Sequence, residues 1–205
     1  MPHEREEMVA RSDRVDPDTG FDRPWLVSSH LAVVAPLAHT LNPLPVTTLR
    51  VFFESSRKRA IRSEPALSPW GACELGYGER GLTSLAFESD HQPKDIAPER
   101  WHPLFRGEIK ELSLQCSGST FEHAVWRALL QIPRGQTTSY AAIAKAILRP
   151  GAARAVGQAV GRNDLAWIVP CHRVLPVGGG IGGFRWGSEL KRCLLKDEGS
   201  LLTDV

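Results

Sequence analysis

The segment Ile168-Val169-Pro170-Cys171-His172-Arg173-Val174 places a cysteine and a histidine side by side at the end of an apolar run. The apolar run predicts a buried strand, Leu165 to Val169, that delivers Cys171 onto a turn. A thiol acts as a nucleophile only as the thiolate, and a free cysteine with a pKa of about 8.5 is mostly protonated at neutral pH. His172 and Arg173 are the neighbours that could supply a base or a positive charge. The segment alone also fits a buried structural cysteine beside a surface histidine.

The composition is that of an ordinary globular protein, but its charge is uneven. Of the 205 residues, 42% are hydrophobic and 23% are charged, which allows one large domain or two small ones. Residues 118–200 hold 11 Lys and Arg against 5 Asp and Glu, whereas residues 1–117 hold 14 against 17. A basic C-terminal half suits a polyanionic partner, although a solvated basic face is the commoner meaning of such an excess.

We expect neither a membrane segment nor a metal site. The longest apolar run, Leu31 to Ala38, contains a proline and is far shorter than the roughly 20 residues of a membrane span. The acid-rich N-terminus is unlike a secretory signal. The 4 cysteines form no C-x-x-C pair and have no zinc spacing. These features predict a cytoplasmic protein in a reducing compartment.

The pattern along the chain predicts an α/β (α+β) protein with two domains. Residues 1–65 comprise a polar tail and a segment without an assigned function, within which Val46 to Phe53 has the composition of a strand. Residues 66–117 are expected to form a small β-containing N-terminal domain with a hairpin over residues 69–87. Residues 118–199 are expected to form a helical C-terminal domain.

A helix-turn-helix is predicted early in the C-terminal domain. Ser119 and Glu122 have the spacing of a capping box at the start of a first helix. Thr138 or Ser139 can cap a second helix, and a third runs from Ala152 to about Arg162. Two short helices joined by a tight turn are more often a plain helical hairpin than a DNA-binding motif.

The side chains of the third helix favour DNA binding. Its small residues allow the helix backbone to lie very close to a minor groove, and its two arginines can contact phosphates or enter the base stack. The small residues are Ala152, Ala153 and Gly157, and the arginines are Arg154 and Arg162.

The end of the chain predicts a glycine-rich loop and one more helix. The loop, residues 178–187, carries Phe184, Arg185 and Trp186 and has no P-loop sequence, so it is weak evidence for a ligand site. The helix runs from Ser188 to Glu198 and is closed by Gly199.

The sequence resembles a known family, the O6-alkylguanine-DNA alkyltransferases (methylated-DNA–protein-cysteine methyltransferases), and most of all the C-terminal half of bacterial Ada. Residues 118–199 carry the family's motifs in order and without a gap. The matching motifs are Val125-Trp126, Ile132-Pro133-Arg134-Gly135, Thr138-Ser139-Tyr140, Ala153-Arg154-Ala155-Val156, Asn163, Pro170-Cys171-His172-Arg173-Val174, Gly183-Phe184-Arg185-Trp186-Gly187, and Leu194-Leu195 with Glu198. The hairpin at 69–87 resembles the family's N-terminal domain more loosely.

The resemblance implies a suicide repair reaction in which Cys171 irreversibly takes the alkyl group from O6-alkylguanine in double-stranded DNA. It implies a winged helix-turn-helix-like motif in the minor groove, a flipped base, no cofactor, and a monomer at the bacterial nucleoid. His172 would act as a base through a water, oriented by Glu198. Tyr140 would donate a proton toward N3 of guanine, and Asn163 would be a hinge.

The remaining residues implied by the resemblance bind the DNA or the guanine. Arg154 would fill the space that the flipped nucleotide leaves. The other residues of the implied DNA face are Ala152, Ala153, Gly157 and Arg162. The implied guanine pocket consists of Val174, Phe184, Arg185 and Lys191.

Three departures from the family pattern are visible. Asn163-Asp164 stands where the family commonly has Asn-Pro, and Phe184 replaces a frequent tyrosine. The chain between Phe87 and Cys116 is short, so we expect a trimmed N-terminal domain. Two alternatives remain open: a non-catalytic sensor of alkylated DNA, although such relatives replace the cysteine, and a cysteine hydrolase, although its base is normally distant in sequence.

Overall fold

The protein has a mixed α/β fold, in which a six-stranded sheet precedes a group of helices. The computed structural model describes residues 33–35, 48–55, 60–88 and 97–200. The predicted tail over residues 1–24 lies outside the described residues. The elements are β1 (Val33–Ala35), β2 (Thr48–Glu54), β3 (Arg62–Ser68), β4 (Gly71–Gly78), β5 (Gly81–Phe87), α1 (Pro103–Arg106), β6 (Glu111–Ser117), α2 (Thr120–Leu129), β7 (Thr138–Ser139), α3 (Tyr140–Ala146), α4 (Ala153–Gly161), β8 (Val174–Leu175) and α5 (Ser188–Asp197).

The large sheet has the strand order β1-β2-β6-β5-β4-β3. The predicted hairpin is confirmed, because β4 and β5 pair antiparallel across a tight turn. Gly81 in that turn has a φ of 137°, and a Cβ there would lie 2.2 Å from the carbonyl oxygen of Ser113. The turn therefore needs glycine both for its backbone conformation and for its close approach to β6.

The sheet begins earlier in the chain than residue 66, the position at which the N-terminal domain is expected to start. That position falls inside β3, and β2 pairs in parallel with β6 along its whole length. Leu49 and Val51 of β2 are buried in the core. The partner of β2 lies about 60 residues away in the chain, so local patterning could not show that this segment belongs to the sheet.

The predicted helices are confirmed, and their ends follow the capping residues. Ser119 and Glu122 form a complete capping box at the start of α2. Ser139, not Thr138, caps α3 by accepting a hydrogen bond from the backbone N–H of Ala142. Helix α4 follows after a short turn, with Ala152 at its N-cap. Helix α5 ends at Glu198 and Gly199, which has a φ of 73°.

The buried strand predicted over residues 165–169 does not form, so this prediction was wrong. Leu165 makes a single bridge with Leu85, and the chain then turns. Trp167 has a φ of 65°, and the backbone N–H of Val169 donates to the carbonyl of Leu165 at 3.0 Å. The apolar run reflects burial within a turn, because a short apolar segment has no periodicity that separates a strand from other buried structure.

This turn is bound directly to the sheet. The backbone N–H of Leu85 in β5 donates to Asp164 at 2.8 Å, and that of Ala166 donates back to Leu85 at 3.1 Å. Trp167 packs between Trp70 and Phe105, with ring centroids 5.1 and 5.2 Å away. The sheet therefore fixes the segment that leads into Cys171.

Candidate active site

Cys171 lies in an enclosed position at the start of a single 3-10 turn, Cys171–Arg173. It is 3% exposed. The side-chain amide of Asn163 approaches its Sγ at 3.1 Å. Burial raises the pKa of the Cys171 thiol, and the Asn163 amide, the charge of Lys191 and nearby backbone N–H groups oppose that effect. The thiol is therefore protonated in the resting protein, with groups in place that favour the thiolate.

Asn163 holds the active-site turn together from inside. Its side-chain nitrogen also donates to the carbonyl of Val169 at 2.9 Å, and its oxygen accepts the backbone N–H of Leu165 at 3.0 Å. One buried side chain thus connects the C-terminal end of α4, both ends of the turn and the thiol.

His172, Glu198 and Arg173 form a buried hydrogen-bonded cluster. Glu198 Oε1 is 3.0 Å from His172 Nε2 and 2.7 Å from an Arg173 terminal nitrogen. Arg173 Nε donates to Glu198 Oε2 at 2.8 Å. This two-pronged contact fixes the plane of the carboxylate, and the carboxylate in turn fixes the imidazole.

The charges in this cluster determine the tautomer of His172. Burial would raise the pKa of Glu198, but hydrogen bonds from His172 and Arg173 and the charge of Arg173 outweigh burial and lower the pKa to about 2. The carboxylate is therefore ionised and can only accept. Burial lowers the pKa of His172, so the ring is neutral at pH 7, with its proton on Nε2. Nδ1 is buried and has no hydrogen-bond partner among the described groups, which leaves its lone pair able to take a proton.

The turn after α2 closes the cluster from the other side. Arg173 donates to the carbonyl of Ile132, and Arg134 donates to the carbonyl of Asp197 near the end of α5. A Cβ on Gly135 would lie 3.0 Å from the carbonyl oxygen of Glu198. The Ile132-Pro133-Arg134-Gly135 motif therefore positions Glu198.

Lys191 and Val174 lie together beside Cys171. Lys191 is fully buried, and its Nζ donates to the carbonyl of Val174 at 2.8 Å. Burial lowers the pKa of Lys191 to about 8, against the attraction of Cys171. A lysine with this pKa is still mostly charged at pH 7, so it supplies a positive charge close to the thiol.

The remaining predicted catalytic residue, Tyr140, and the remaining predicted pocket residues, Phe184 and Arg185, differ in exposure. Tyr140 is half-buried at the start of α3, and burial together with the charge of Cys171 raises its pKa. Phe184 is half-buried, with its ring 5.2 Å from that of Trp186. Arg185 points to solvent and forms an ion pair with Asp164 at 2.6 Å.

The predicted DNA-binding residues lie on and around α4. Arg154 is exposed, and Ala152 and Ala153 are half-buried at the helix start. Arg162 pairs with Glu122 of the α2 capping box at 3.2 Å. A Cβ on Gly157 would lie 3.7 Å from the ring of Tyr140, so this glycine faces α3.

Two features of the site were not assigned from the sequence. The sequence indicates Arg173 only as a charge near the thiol, whereas in the structure it is buried and binds Glu198. Ile132 contributes through its backbone carbonyl, which no side-chain pattern shows. In the described parts of the chain no three His, Cys, Asp or Glu side chains cluster as metal ligands. Nor does any helix there have the length and apolar character to cross a membrane.

Comparison with known proteins identifies the family to which this site belongs. Residues 120–200 match the family model described as 6-O-methylguanine DNA methyltransferase, DNA binding domain. The methylated-DNA–protein-cysteine methyltransferase of Methanosarcina acetivorans is 38% identical over 149 residues, which cover 65% of this chain and 95% of that protein. The chain belongs to the methylated-DNA–protein-cysteine methyltransferase family.

Other members of the methylated-DNA–protein-cysteine methyltransferase family are similar to this chain in sequence and in structure. The bifunctional transcriptional activator and DNA repair enzyme Ada of Escherichia coli is 32% identical over 173 residues, and the chain spans 49% of its length. The crystal structure of Mycobacterium tuberculosis OGT in complex with DNA is 37% identical with a TM-score of 0.55, covering 66% of this chain and 92% of that chain.

Proposed function

We propose that Cys171 accepts the alkyl group of O6-alkylguanine in duplex DNA. The function is DNA repair by direct reversal of the damage, the activity of a methylated-DNA–protein-cysteine methyltransferase. The observation that supports this role most strongly is the pairing of a buried thiol, contacted by Asn163, with an adjacent buried His172 oriented by Glu198. A nucleophile, a base and a group that orients the base are the parts that such a displacement requires.

The proposed reaction is a single displacement. The thiol proton passes through a water to Nδ1 of His172, which is free to accept it. The Cys171 thiolate attacks the alkyl carbon, the new sulfur–carbon bond forms, and the carbon–O6 bond breaks with its electrons moving into the guanine ring. Tyr140 donates a proton toward N3, so that neutral guanine leaves. The resulting thioether is stable to hydrolysis, so each protein molecule is proposed to react once.

Binding to damaged DNA is proposed to use α3 and α4 as a helix-turn-helix. Helices α3 and α4 pack together, and β7 and β8 pair beside them as a small parallel sheet that we interpret as the wing. Arg154 is exposed at the start of α4, which supports its proposed role in filling the space left by a flipped nucleotide in the minor groove. Ala152 and Ala153 directly precede it. Arg162 is proposed to contact phosphate, which requires it to exchange its bond to Glu122.

The guanine pocket is proposed to lie against Lys191, Val174 and Phe184. Lys191 fixes the carbonyl of Val174, and Phe184 offers an aromatic surface for stacking a base. Action as a monomer is part of the proposal. The division into a β-containing N-terminal domain and a DNA-binding C-terminal domain is also part of the proposal.

Mass spectrometry after incubation with excess duplex carrying one O6-methylguanine tests the proposal. We expect one methyl group on the peptide containing Cys171, saturation at one per protein, and restored guanine in the DNA. Cys193→Ala is the matched control, because Cys193 is a half-buried thiol on α5, and this variant should still take one methyl group. Methylation of another residue, or none, would contradict the proposal.

The alternative of a non-catalytic sensor is tested by Cys171→Ala. This variant should lose transfer but still bind the alkylated duplex in a gel-shift assay, since the DNA contacts are proposed to lie on α4. If the unmodified wild type retains the damaged duplex without accepting a methyl group, the protein is a sensor.

A further inference from the structure

The enclosure of Cys171 raises the question of how a flipped alkylguanine reaches it. The residue is 3% exposed, so part of the surrounding wall has to move before an alkyl carbon can contact Sγ. The glycine-rich segment over residues 178–187 has the properties of a movable wall. It contains no helix or strand, and a Cβ on Gly178, Gly179 or Gly180 would meet no atom within 4 Å.

The far half of this segment passes close to Lys191 of the site. A Cβ on Gly182 would lie 3.9 Å from Nζ of Lys191, the lysine beside Cys171. Two side chains then hold the segment. Trp186 is buried, with its ring edge-on to Phe87 of β5 at 6.5 Å, and Arg185 is bound to Asp164.

Asp164, which pairs with Arg185, is held in place by the sheet. Its backbone carbonyl accepts a hydrogen bond from Leu85 of the sheet at 2.8 Å. The preceding residue is Asn163, whose side chain contacts the Cys171 thiol at 3.1 Å. The ion pair therefore connects the glycine-rich segment to the turn that carries the nucleophile. The resemblance to the family put proline at this position, and proline could not make the pair.

We propose that the ion pair between Asp164 and Arg185 latches the glycine-rich segment over the guanine pocket and thereby limits the size of the alkyl group that is accepted. The proposal rests on the proposed function, since it concerns the same pocket. The two side chains are 44% and 51% exposed, so salt screens the pair and the latch opens readily. An ion pair of this exposure shifts an opening equilibrium by about two- to fivefold.

The test is a competition between two duplexes, one carrying O6-methylguanine and the other O6-benzylguanine, for limiting protein. General DNA affinity and thiol reactivity affect both transfers equally, so their contributions cancel in the ratio of benzyl to methyl transfer. Asp164→Ala should raise this ratio about two- to fivefold, because the bulky group depends more on opening of the segment. The charge-swapped double variant Asp164→Arg/Arg185→Asp should restore the wild-type ratio. Glu189→Ala, which removes another exposed ion pair on α5, should leave it unchanged.

Salt dependence separates a latch from a merely structural role. In the wild type the benzyl-to-methyl ratio should rise between about 0.05 M and about 0.5 M salt, because screening weakens the ion pair. In Asp164→Ala it should be flat. Three results would each overturn the proposal. The first is an unchanged benzyl-to-methyl ratio in Asp164→Ala, and the second is a charge-swapped variant that does not restore the wild-type ratio. The third is equal salt dependence of the ratio in the wild type and Asp164→Ala.

Hydrogen exchange distinguishes failure of the latch from failure of the proposed function. The backbone amides of residues 184–187 should exchange faster in Asp164→Ala than in the wild type, whether or not any alkyl group is transferred. Faster exchange without transfer from either duplex would overturn the proposed function and leave the latch standing. Unchanged exchange would overturn the latch.

Discussion

Replacing Glu198 by glutamine should destabilise the protein by about 3 kcal/mol at neutral pH. The carboxylate accepts hydrogen bonds from His172 Nε2, Arg173 Nε and an Arg173 terminal nitrogen at 3.0, 2.8 and 2.7 Å. Glutamine has the same shape but presents an NH2 group to one of these donors, and it removes the counter-charge of Arg173, whose side chain is 2% exposed. Removing one partner of a buried ion pair costs about 3 to 5 kcal/mol.

The pKa of Glu198 supplies a second route to the same magnitude. The folded protein lowers this pKa from 4.5 to about 2, and each pKa unit corresponds to about 1.4 kcal/mol, so the carboxylate contributes about 3 kcal/mol. Because the folded-state pKa is depressed, this stabilisation is complete above the unfolded pKa of 4.5 and is lost as the pH falls toward about 2.

Urea unfolding followed by tryptophan fluorescence at several pH values measures both effects. The stability difference between the wild type and Glu198→Gln should be about 3 kcal/mol at pH 7 and should shrink to roughly half by about pH 3. Glu189→Gln is the control, because Glu189 lies on the same helix with its side chain 79% exposed. A loss below about 1 kcal/mol at pH 7, or a difference that does not change with pH, would refute the reasoning.

Three further predictions concern the reaction and DNA binding. Tyr140→Phe should slow methyl transfer by about 10²- to 10⁴-fold in single-turnover assays without weakening DNA binding, because it removes the proposed proton donor. Lys191→Gln should slow transfer at pH 7, because the Cys171 thiolate loses a nearby positive charge. Its rate should keep rising with pH, whereas the wild-type rate should level off near pH 8 as Lys191 itself deprotonates. Arg162→Gln should reduce the slope of log affinity against log salt by about 1, because Arg162 is proposed to contact one phosphate.

Each of these three predictions would be contradicted by a specific result. Wild-type transfer by Tyr140→Phe would assign protonation of guanine to another group. A common pH profile for the wild type and Lys191→Gln would show that Lys191 does not act on the thiol. An unchanged salt slope in Arg162→Gln would place Arg162 away from the phosphates. Arg192→Gln, an exposed arginine on α5 rather than α4, is the control for the salt slope.

The sequence alone predicted those elements whose cause is local. The capping box of Ser119 and Glu122 formed as predicted because both partners lie within one helical turn. The hairpin of β4 and β5 formed because its turn residues specify the reversal within a few positions. Gly199 ended α5 because glycine adopts a positive φ without a steric penalty. Cys171 and His172 could be proposed as a chemical pair because they are adjacent.

The tertiary structure alone decided the features that depend on distant segments. The strand pairing of β2 with β6 joins segments about 60 residues apart, and burial of residues 165–169 in a turn depends on packing against the sheet. The buried contact of Arg173 with Glu198 joins residues 25 positions apart, and the backbone carbonyl of Ile132 leaves no trace in a side-chain pattern. Local propensity reflects only interactions between residues that are close in sequence. Burial, charge pairing and the tautomer of His172 depend instead on which distant groups the fold brings together.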